Sequence, residues 1–362
     1  MIVPDGRVHK AELARMDDDL SWGFSVVADS TAGSPDIGSL VSLCFLAQLS
    51  LLVTESERYL RRTDPSRLDW LGGDHEALVR SRHRTKLFAD TVNGVEGTVA
   101  YFAGPLAAAH RARFTGRARF RWARRWETDL GLCTYKGRLV STTHGAHYLL
   151  GTRPDMLAGD PGPALRRFGE DLGRYLSALT GGVRQPAPTF VAALDAGLLQ
   201  ARDVRSDVFY AASFGGGVDP GVAAALTTFR SVLNTVDVLL PSGARCATEV
   251  KLTYLTLHQV LVSLRRLRGR AGLGTVLPPV LDRLLADALV VRLLDPATAP
   301  FRNTLVHYGF DSRFPADAVD ASLPLVGLVE HYFPGHDTAT LERAVRRCLS
   351  DVASVLDASA AP

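Results

Sequence analysis

The residues best suited to chemistry lie near the C-terminal end, where residues 300–309 read Pro-Phe-Arg-Asn-Thr-Leu-Val-His-Tyr-Gly. Arg302, Asn303 and His307 place a guanidinium, an amide and an imidazole within six residues. A guanidinium holds a phosphate or carboxylate through a planar fork, and an imidazole gives and takes protons near neutral pH. This combination indicates phosphate-ester chemistry.

The spacing of this arginine and histidine is not informative by itself. Only four of the 41 basic residues are lysines, which leaves 37 arginines beside ten histidines, and about three pairs spaced as Arg-x(4–6)-His are expected by chance. Two occur, Arg302 to His307 and Arg138 to His144. The first pair differs by the polar Asn303, by apolar neighbours and by helical surroundings, whereas the second lies in a predicted strand.

With this context, residues 301–308 resemble the signature of the HEPN superfamily, whose small helical domains carry an Arg-polar-x(3–5)-His pattern on one helix. The resemblance covers about residues 218–355. It implies a metal-independent RNA endonuclease that needs no cofactor and acts as a toxin or defence effector. It equally allows a domain that has lost catalysis and only binds.

The three side chains have distinct expected roles. His307 would act as base or acid on an RNA 2′-hydroxyl, Arg302 would clamp the phosphate, and Asn303 would orient the groups by a hydrogen bond. On a helix, Asn303 and His307 share a face, but Arg302 points about 140° away from His307. The family's usual solution is a two-fold interface, so we predict a homodimer with the site between two chains.

Two further groups of residues are candidates for nucleic-acid binding. Arg117, Arg119 and Arg121 alternate with apolar residues in an aromatic-rich stretch, which predicts a strand with one basic face. Solvated arginines over a packed aromatic face are the structural alternative. A second set, Lys251, His258 and Arg265, recurs every seven residues and forms a polar stripe on a predicted helix. That stripe would line a groove facing His307 or would be an ordinary solvated helix face.

The sequence gives little support for a metal site. His144 and His147 are three residues apart but have no third ligand nearby in the sequence. The four cysteines are far apart and form no Cys-x-x-Cys pair, so we expect neither bound metal nor disulfides.

The predicted fold is mainly α. We expect an N-terminal α-rich domain over residues 1–214 that contains a small antiparallel β element, and a bundle of four to five helices over residues 215–362. The apolar spacing predicts a long helix from Ile37 to Arg62, packed on most sides and ended by Asp64-Pro65, and a hairpin that turns at Lys136-Gly137. It also predicts a helix from about residue 279 to 294 and a last helix with Asp337 as its N-cap. The net charge of +3 is too small to indicate nucleic-acid binding from the total alone. No leader or uninterrupted apolar span is evident, so we expect a soluble cytoplasmic protein without membrane contact.

Two other functions are also compatible with the sequence. The helical bundle could serve only for dimerisation and ligand binding, or the chain could be a biosynthetic enzyme whose site lies in the N-terminal domain. In the leading interpretation the N-terminal domain supplies regulation or RNA recognition.

Overall fold

A computed structural model of the chain describes residues 6–68, 76–89, 94–120, 122–152, 162–181, 189–215, 217–240 and 246–360. The fold is mainly α with one small antiparallel sheet of three strands in the order β2-β1-β3, which confirms the predicted fold class. The N-terminal elements are α1 Gly6–Ala32, α2 Pro35–Thr63, α3 Glu76–Arg84, α4 Gly94–Tyr101, α5 Ala107–Phe114, β1 Leu130–Tyr135, β2 Arg138–Thr142, α6 Thr143–Leu150, α7 Gly162–Leu179, β3 Leu199–Val204 and α8 Ser206–Ala212. The remaining elements are α9 Pro220–Leu239, α10 Ala247–Arg268, α11 Leu277–Leu285, α12 Ala288–Leu293, α13 Ala299–His307, α14 Leu328–Tyr332 and α15 Thr338–Ser359.

Helix α2 lies at the centre of the N-terminal half. The Ser34 side chain caps its first turn by accepting a bond from the Asp36 N–H, and Pro35 occupies the first helical position, where a missing N–H costs nothing. Most of its residues are buried because α1, α3, α7 and α13 all pack against it. A charged side chain buried in a helix enclosed in this way needs a compensating partner.

The sheet begins with the predicted hairpin. Strands β1 and β2 pair across the turn Lys136-Gly137, as expected from the glycine, whose φ of 74° suits this left-handed position. Strand β3 pairs antiparallel with β1 and was not predicted. It is an exposed edge strand of sequence Leu-Gln-Ala-Arg-Asp-Val, so it lacks the alternation of buried and polar residues that marks a strand.

The strand predicted around Arg117 and Arg119 is wrong. These residues lie in an irregular segment that leads to a short 3-10 turn over residues 123–126. The Glu127 carboxylate accepts the backbone N–H groups of Gly116, Arg117 and Ala118, so these donors are not available to a neighbouring strand. The aromatic residues alternating with the arginines are exposed and do not form a packed face.

The C-terminal helices follow the predicted order with two differences, a predicted helix that is divided in two and the short helix α14, which was not predicted. Asp337 is the N-cap of α15, as expected, and it forms a capping box with Thr340. The single helix predicted from about residue 279 to 294 is two helices, because the Asp287 side chain caps the new helix α12 by accepting the N–H groups of Leu289 and Val290.

The buried apolar residues form one continuous core that includes residues on both sides of position 214/215. Helix α9 contributes to this continuity, since Asn234 and Thr235 donate hydrogen bonds to the carbonyls of Leu139 and Val140 in β2. The division proposed between residues 1–214 and 215–362 therefore does not coincide with a gap between two cores.

By length and composition alone, α2 and α9 are apolar enough to cross a membrane. In the fold, 78% and 83% of their most apolar stretches are buried inside the protein. Core helices of soluble proteins have the same properties, so these two helices are weak evidence for membrane contact.

Candidate functional site

Helix α13 carries the predicted triad and is fixed at its C-terminal end. Buried Arg15, from α1, donates hydrogen bonds to the carbonyls of Thr304 at 2.7 Å and Tyr308 at 3.4 Å, the first of which also accepts the Tyr308 N–H. The Tyr308 ring is buried, and its oxygen lies 3.3 Å from the Ser56 hydroxyl of α2. These contacts fix His307, the last residue of α13, relative to α1 and α2.

His307 forms a close pair with Glu55 of α2. Its Nδ1 lies 2.6 Å from the Glu55 Oε2 atom, and the exposed fraction is 46% for the histidine side chain and 3% for the glutamate side chain. When Nδ1 carries the proton that is donated to the carboxylate, Nε2 is left as the acceptor. A buried carboxylate that fixes the tautomer of a half-exposed imidazole is an arrangement suited to proton transfer.

Glu55 is held ionised by its surroundings. Burial alone would raise its pKa, but the hydrogen bond from His307 and the charges of Arg82, His307 and Arg58 lower it, and the resulting pKa is about 2. Arg82 of α3 is buried and pairs directly with this carboxylate, whereas Arg58 is more exposed and contacts it at 3.2 Å. The carboxylate therefore keeps its charge throughout the neutral range.

A cavity of about 200 Å³ lies between α2, α3, α10 and α13. It is lined by both apolar and polar groups, and the cationic or titratable ones are Arg82, Lys86, Arg302 and His307. Asn303, Gln48 and Gln259 add amide groups to the same lining. Several cations converging on a small, partly enclosed space favour an anionic group as the occupant.

Polar atoms around this cavity lack partners within the described part of the chain. They are the buried atoms Gln48 Oε1, Arg82 Nε, Gln259 Oε1 and Arg302 Nε. Buried polar atoms in proteins are nearly always hydrogen-bonded, to protein or to solvent. Four such atoms on side chains lining one cavity indicate that it accommodates a polar ligand or water.

Arg302 lies on the inner side of α13, beside α10. Burial lowers the pKa of its guanidinium, an effect opposed by the nearby Tyr254 hydroxyl. The neighbouring His258 is largely buried, and burial together with the charges of Arg302 and Arg265 lowers its pKa to about 4. His258 is therefore neutral at pH 7 and leaves Arg302 as the cation at this end of the cavity.

Arg302, Asn303 and His307 all line the same cavity within one chain. The rotation of about 140° between Arg302 and His307 does not separate them, because their positions are only about 7.5 Å apart along the helix axis and arginine has a long side chain. A second chain is therefore not required to bring Arg302 and His307 to one cavity, and the homodimer stays a prediction.

The polar stripe predicted on α10 does not line the cavity. Lys251 is 3% exposed, its Nζ lies 2.5 Å from Asp19 Oδ2, and it also sits 4.3 Å from the centre of the Tyr308 ring. It is a buried structural cation and is not accessible to nucleic acid, so its proposed binding role is wrong. His258 and Arg265 are likewise absent from the lining, to which α10 contributes Leu252, Leu255, Thr256 and Gln259.

The basic residues of the aromatic-rich segment are also separate from the cavity. Arg117 and Arg119 are exposed and do not line it, and Arg121 lies outside the described residues. Arg117 and Arg119 belong to a different surface of the molecule.

Glu55 and Arg82 were missed by sequence reasoning. The available signal was the position of Glu55 in α2, where a carboxylate follows a long apolar stretch on a helix predicted to be buried on most sides. A buried acid needs a cationic partner, but the sequence does not show which of the many arginines supplies it.

His144 and His147 have a third histidine beside them. The ring of His110 in α5 lies 4.4 Å from that of His144 and 5.4 Å from that of His147, centre to centre, and all three are buried. Burial and the neighbouring charges lower the pKa of His110 and of His144 to about 3. Within the described residues, no group of three or more His, Cys, Asp or Glu side chains is arranged to hold a metal ion.

Comparison with known proteins identified no relative of this chain. The chain matches no family model, no curated protein and no solved structure. The function is therefore inferred from the geometry of the cavity and from the HEPN-like signature of α13.

Proposed function

We propose that the protein is an RNA endonuclease of HEPN type that cleaves without a metal ion. The observation that carries this proposal is the Glu55–His307 pair beside a cavity that Arg82, Lys86 and Arg302 also line. An oriented imidazole supplies a base, and the cations supply a site for the phosphate. The same residues suit a phosphodiester better than a neutral substrate.

The chemistry would follow the order expected of metal-independent RNA cleavage. His307 Nε2 takes the proton of a ribose 2′-hydroxyl, and that oxygen attacks the adjacent phosphorus atom. The bond from phosphorus to the 5′ oxygen of the next nucleotide breaks, and the proton held by His307 passes to this leaving oxygen. The products are a 2′,3′-cyclic phosphate and a free 5′-hydroxyl.

The remaining residues would stabilise this reaction. Arg302 contacts the phosphate as its negative charge spreads in the transition state, and Lys86 adds a second positive charge. Asn303 orients the phosphate or ribose through its amide. Glu55 keeps Nδ1 of His307 protonated and stabilises the imidazolium that forms when Nε2 accepts the proton.

The decisive experiment is cleavage of purified RNA in the presence of a metal chelator. We expect wild-type protein to release 2′,3′-cyclic phosphate ends, and the variants His307→Ala and Arg302→Ala to lose about 10²- to 10⁴-fold in rate. His331→Ala and Arg343→Ala are matched controls, since both residues are exposed and neither lines the cavity. Equal cleavage by all five proteins would assign the activity to a contaminant or another site.

The proposed activity also has an expected effect in the cell. A cytoplasmic RNA endonuclease of this type would act as a toxin or defence effector, as the HEPN resemblance implies. Expression should then slow growth, and the His307→Ala variant should remove that effect. Homodimerisation belongs to the same proposal.

A second function is favoured by the size of the cavity. At about 200 Å³ it is smaller than a typical ligand pocket of about 300–1,000 Å³, which suits a small anion bound without catalysis. Inorganic phosphate should then raise the melting temperature of the wild-type protein and not that of Arg302→Ala. Phosphate binding together with undetectable RNA cleavage would favour this ligand-binding function over the nuclease.

A further inference from the structure

The segment 114–126 exposes an unusual concentration of aromatic side chains. Phe114, Phe120, Trp122 and Trp126 are between 43% and 60% exposed, and they include every large aromatic residue found exposed in the described part of the chain. Exposed aromatic surface of this kind is costly in water and marks interaction sites.

The surface is already organised in the free protein. The Glu127 carboxylate binds the backbone N–H groups of Gly116, Arg117 and Ala118 at 2.6–2.7 Å and so fixes the start of the segment. Beyond it, buried Asp129 accepts bonds from the N–H and the hydroxyl of Ser206, both at 2.7 Å. Because the backbone is held at these points, ligand binding would cost less conformational entropy in ordering the loop.

The rings of Phe120, Trp122 and Trp126 contact one another, whereas the ring of Phe114 lies beside buried His110. The ring centres of Phe120 and Trp122 are 6.1 Å apart with nearly parallel planes, and those of Trp122 and Trp126 are 5.3 Å apart edge to face. The result is a continuous group of rings on the outside of the molecule. Planar groups such as nucleobases can stack on rings presented in this way.

The charge exposed around the rings is positive. Arg117, Arg119, Arg124 and Arg125 are all exposed, whereas Glu127 is engaged by backbone N–H groups and Asp129 is buried. Two of the arginines lie over rings, with the Arg125 guanidinium 4.3 Å from the centre of the Trp126 ring and that of Arg119 5.7 Å from Phe120. The surface therefore combines stacking groups with phosphate-binding groups.

We propose that residues 114–120 and 122–126 form a binding surface for single-stranded RNA. An anionic membrane would also attract arginine and tryptophan, but insertion of the rings would carry the stacked guanidinium groups into the hydrocarbon layer. A single-stranded nucleic acid presents unstacked bases next to its phosphates. The exposed rings can stack on the bases while the neighbouring arginines contact the phosphates. The choice of RNA over single-stranded DNA rests on the proposed nuclease function.

The test measures binding separately from cleavage by using full-length protein with the His307→Ala change. A fluorescent single-stranded RNA of about 16 nucleotides is titrated by anisotropy, beside the same sequence as DNA and as an RNA duplex. Trp122→Ala and Trp126→Ala should each weaken single-strand binding by about 5- to 150-fold, with the duplex affected less. Arg125→Gln should reduce the salt dependence of binding.

Val291→Ala is the matched control, because Val291 is also 57% exposed but lies in α12. Circular dichroism and thermal melts check that each variant folds. Binding to vesicles of equal parts phosphatidylglycerol and phosphatidylcholine is measured in parallel, to test for membrane binding. Unchanged RNA affinity in both tryptophan variants would overturn the proposal, as would tryptophan-dependent vesicle binding without RNA binding.

The two proposals fail in different ways. If RNA binding depends on the tryptophans but the wild-type protein does not cleave RNA, the proposed nuclease function is ruled out and the proposed RNA-binding surface is supported. If cleavage depends on His307 but neither tryptophan variant changes RNA binding, only the proposed RNA-binding surface is ruled out.

Discussion

The Nδ1 atom of His307 lies 2.6 Å from the Oε2 atom of Glu55, although 252 positions separate the two residues along the chain. The glutamate is buried in α2, and the histidine is the final residue of α13. Arg15 fixes the end of α13 and Arg82 pairs with the same carboxylate, so the geometry of this pair depends on four helices. The proposed chemistry follows from this arrangement.

The carboxylate of Glu55 should matter through its effect on the imidazole. Glu55→Gln removes the charge that stabilises the imidazolium, and we expect the cleavage rate to fall by about 100-fold or more and its pH profile to change. Glu57→Gln is a matched control, since Glu57 is also buried in α2 but pairs with Arg61. A Glu55→Gln variant with the wild-type rate and pH profile would remove Glu55 from the mechanism.

Mixing two inactive variants tests how the site relates to the proposed dimer. Because Arg302 and His307 line one cavity of one chain, a mixture of Arg302→Ala and His307→Ala protein should stay inactive. A site shared across a two-fold axis would instead recover about a quarter of wild-type activity in randomly mixed dimers. The measurement is RNA cleavage after the variants are mixed, with light scattering to record the oligomeric state.

Lys251 should affect stability and leave RNA affinity unchanged. Lys251→Ala leaves the Asp19 carboxylate buried without its partner, and we expect the free energy of unfolding to fall by about 3–5 kcal/mol. Urea denaturation measures this loss, and the double variant Asp19→Asn with Lys251→Met should recover part of it. Reduced RNA affinity in a Lys251→Ala protein that retains full stability would contradict the structural role.

The buried histidines should make the fold sensitive to acid. The pKa of both His110 and His144 is about 3 in the folded protein, chiefly because of burial, against about 6.5 in an unfolded chain. Their contribution to stability is therefore complete above pH 6.5 and is lost as the pH falls from 6.5 towards 3. Each histidine adds a slope of about 1.4 kcal/mol per pH unit within that window.

The variant His110→Phe tests this slope while keeping an aromatic ring beside His144. Its free energy of unfolding should decline less steeply between pH 6.5 and pH 4 than that of the wild type, as measured by urea denaturation at several pH values. His331→Gln serves as the control, because His331 is exposed. Identical slopes for wild type and His110→Phe would contradict the neutral buried state.

Local signals in the sequence were sufficient for several elements. Gly137 marked the hairpin turn and Asp337 the start of α15, because turns and caps depend on residues close together in the chain. The long helix α2 was also predicted, from its apolar spacing and the following Asp64-Pro65.

Other features depended on contacts that the sequence does not display. The alternation around Arg119 resembled a strand, but the Glu127 side chain captured the backbone donors that a strand partner would need. The regular spacing of Lys251 indicated an exposed stripe, yet Asp19 of α1 compensated the lysine charge and allowed its burial. Glu55 could not be matched to His307, since pairing across 252 positions leaves no local pattern.

The separation of Glu55 and His307 in the chain also sets when the site can exist during synthesis. At about 5–20 residues per second, a ribosome needs about 13–50 s to reach His307 after adding Glu55. Throughout that interval α2 is made while its histidine partner is still absent. A nascent chain shorter than 307 residues therefore lacks the Glu55–His307 pair, and a message truncated before codon 307 yields a product without the proposed activity.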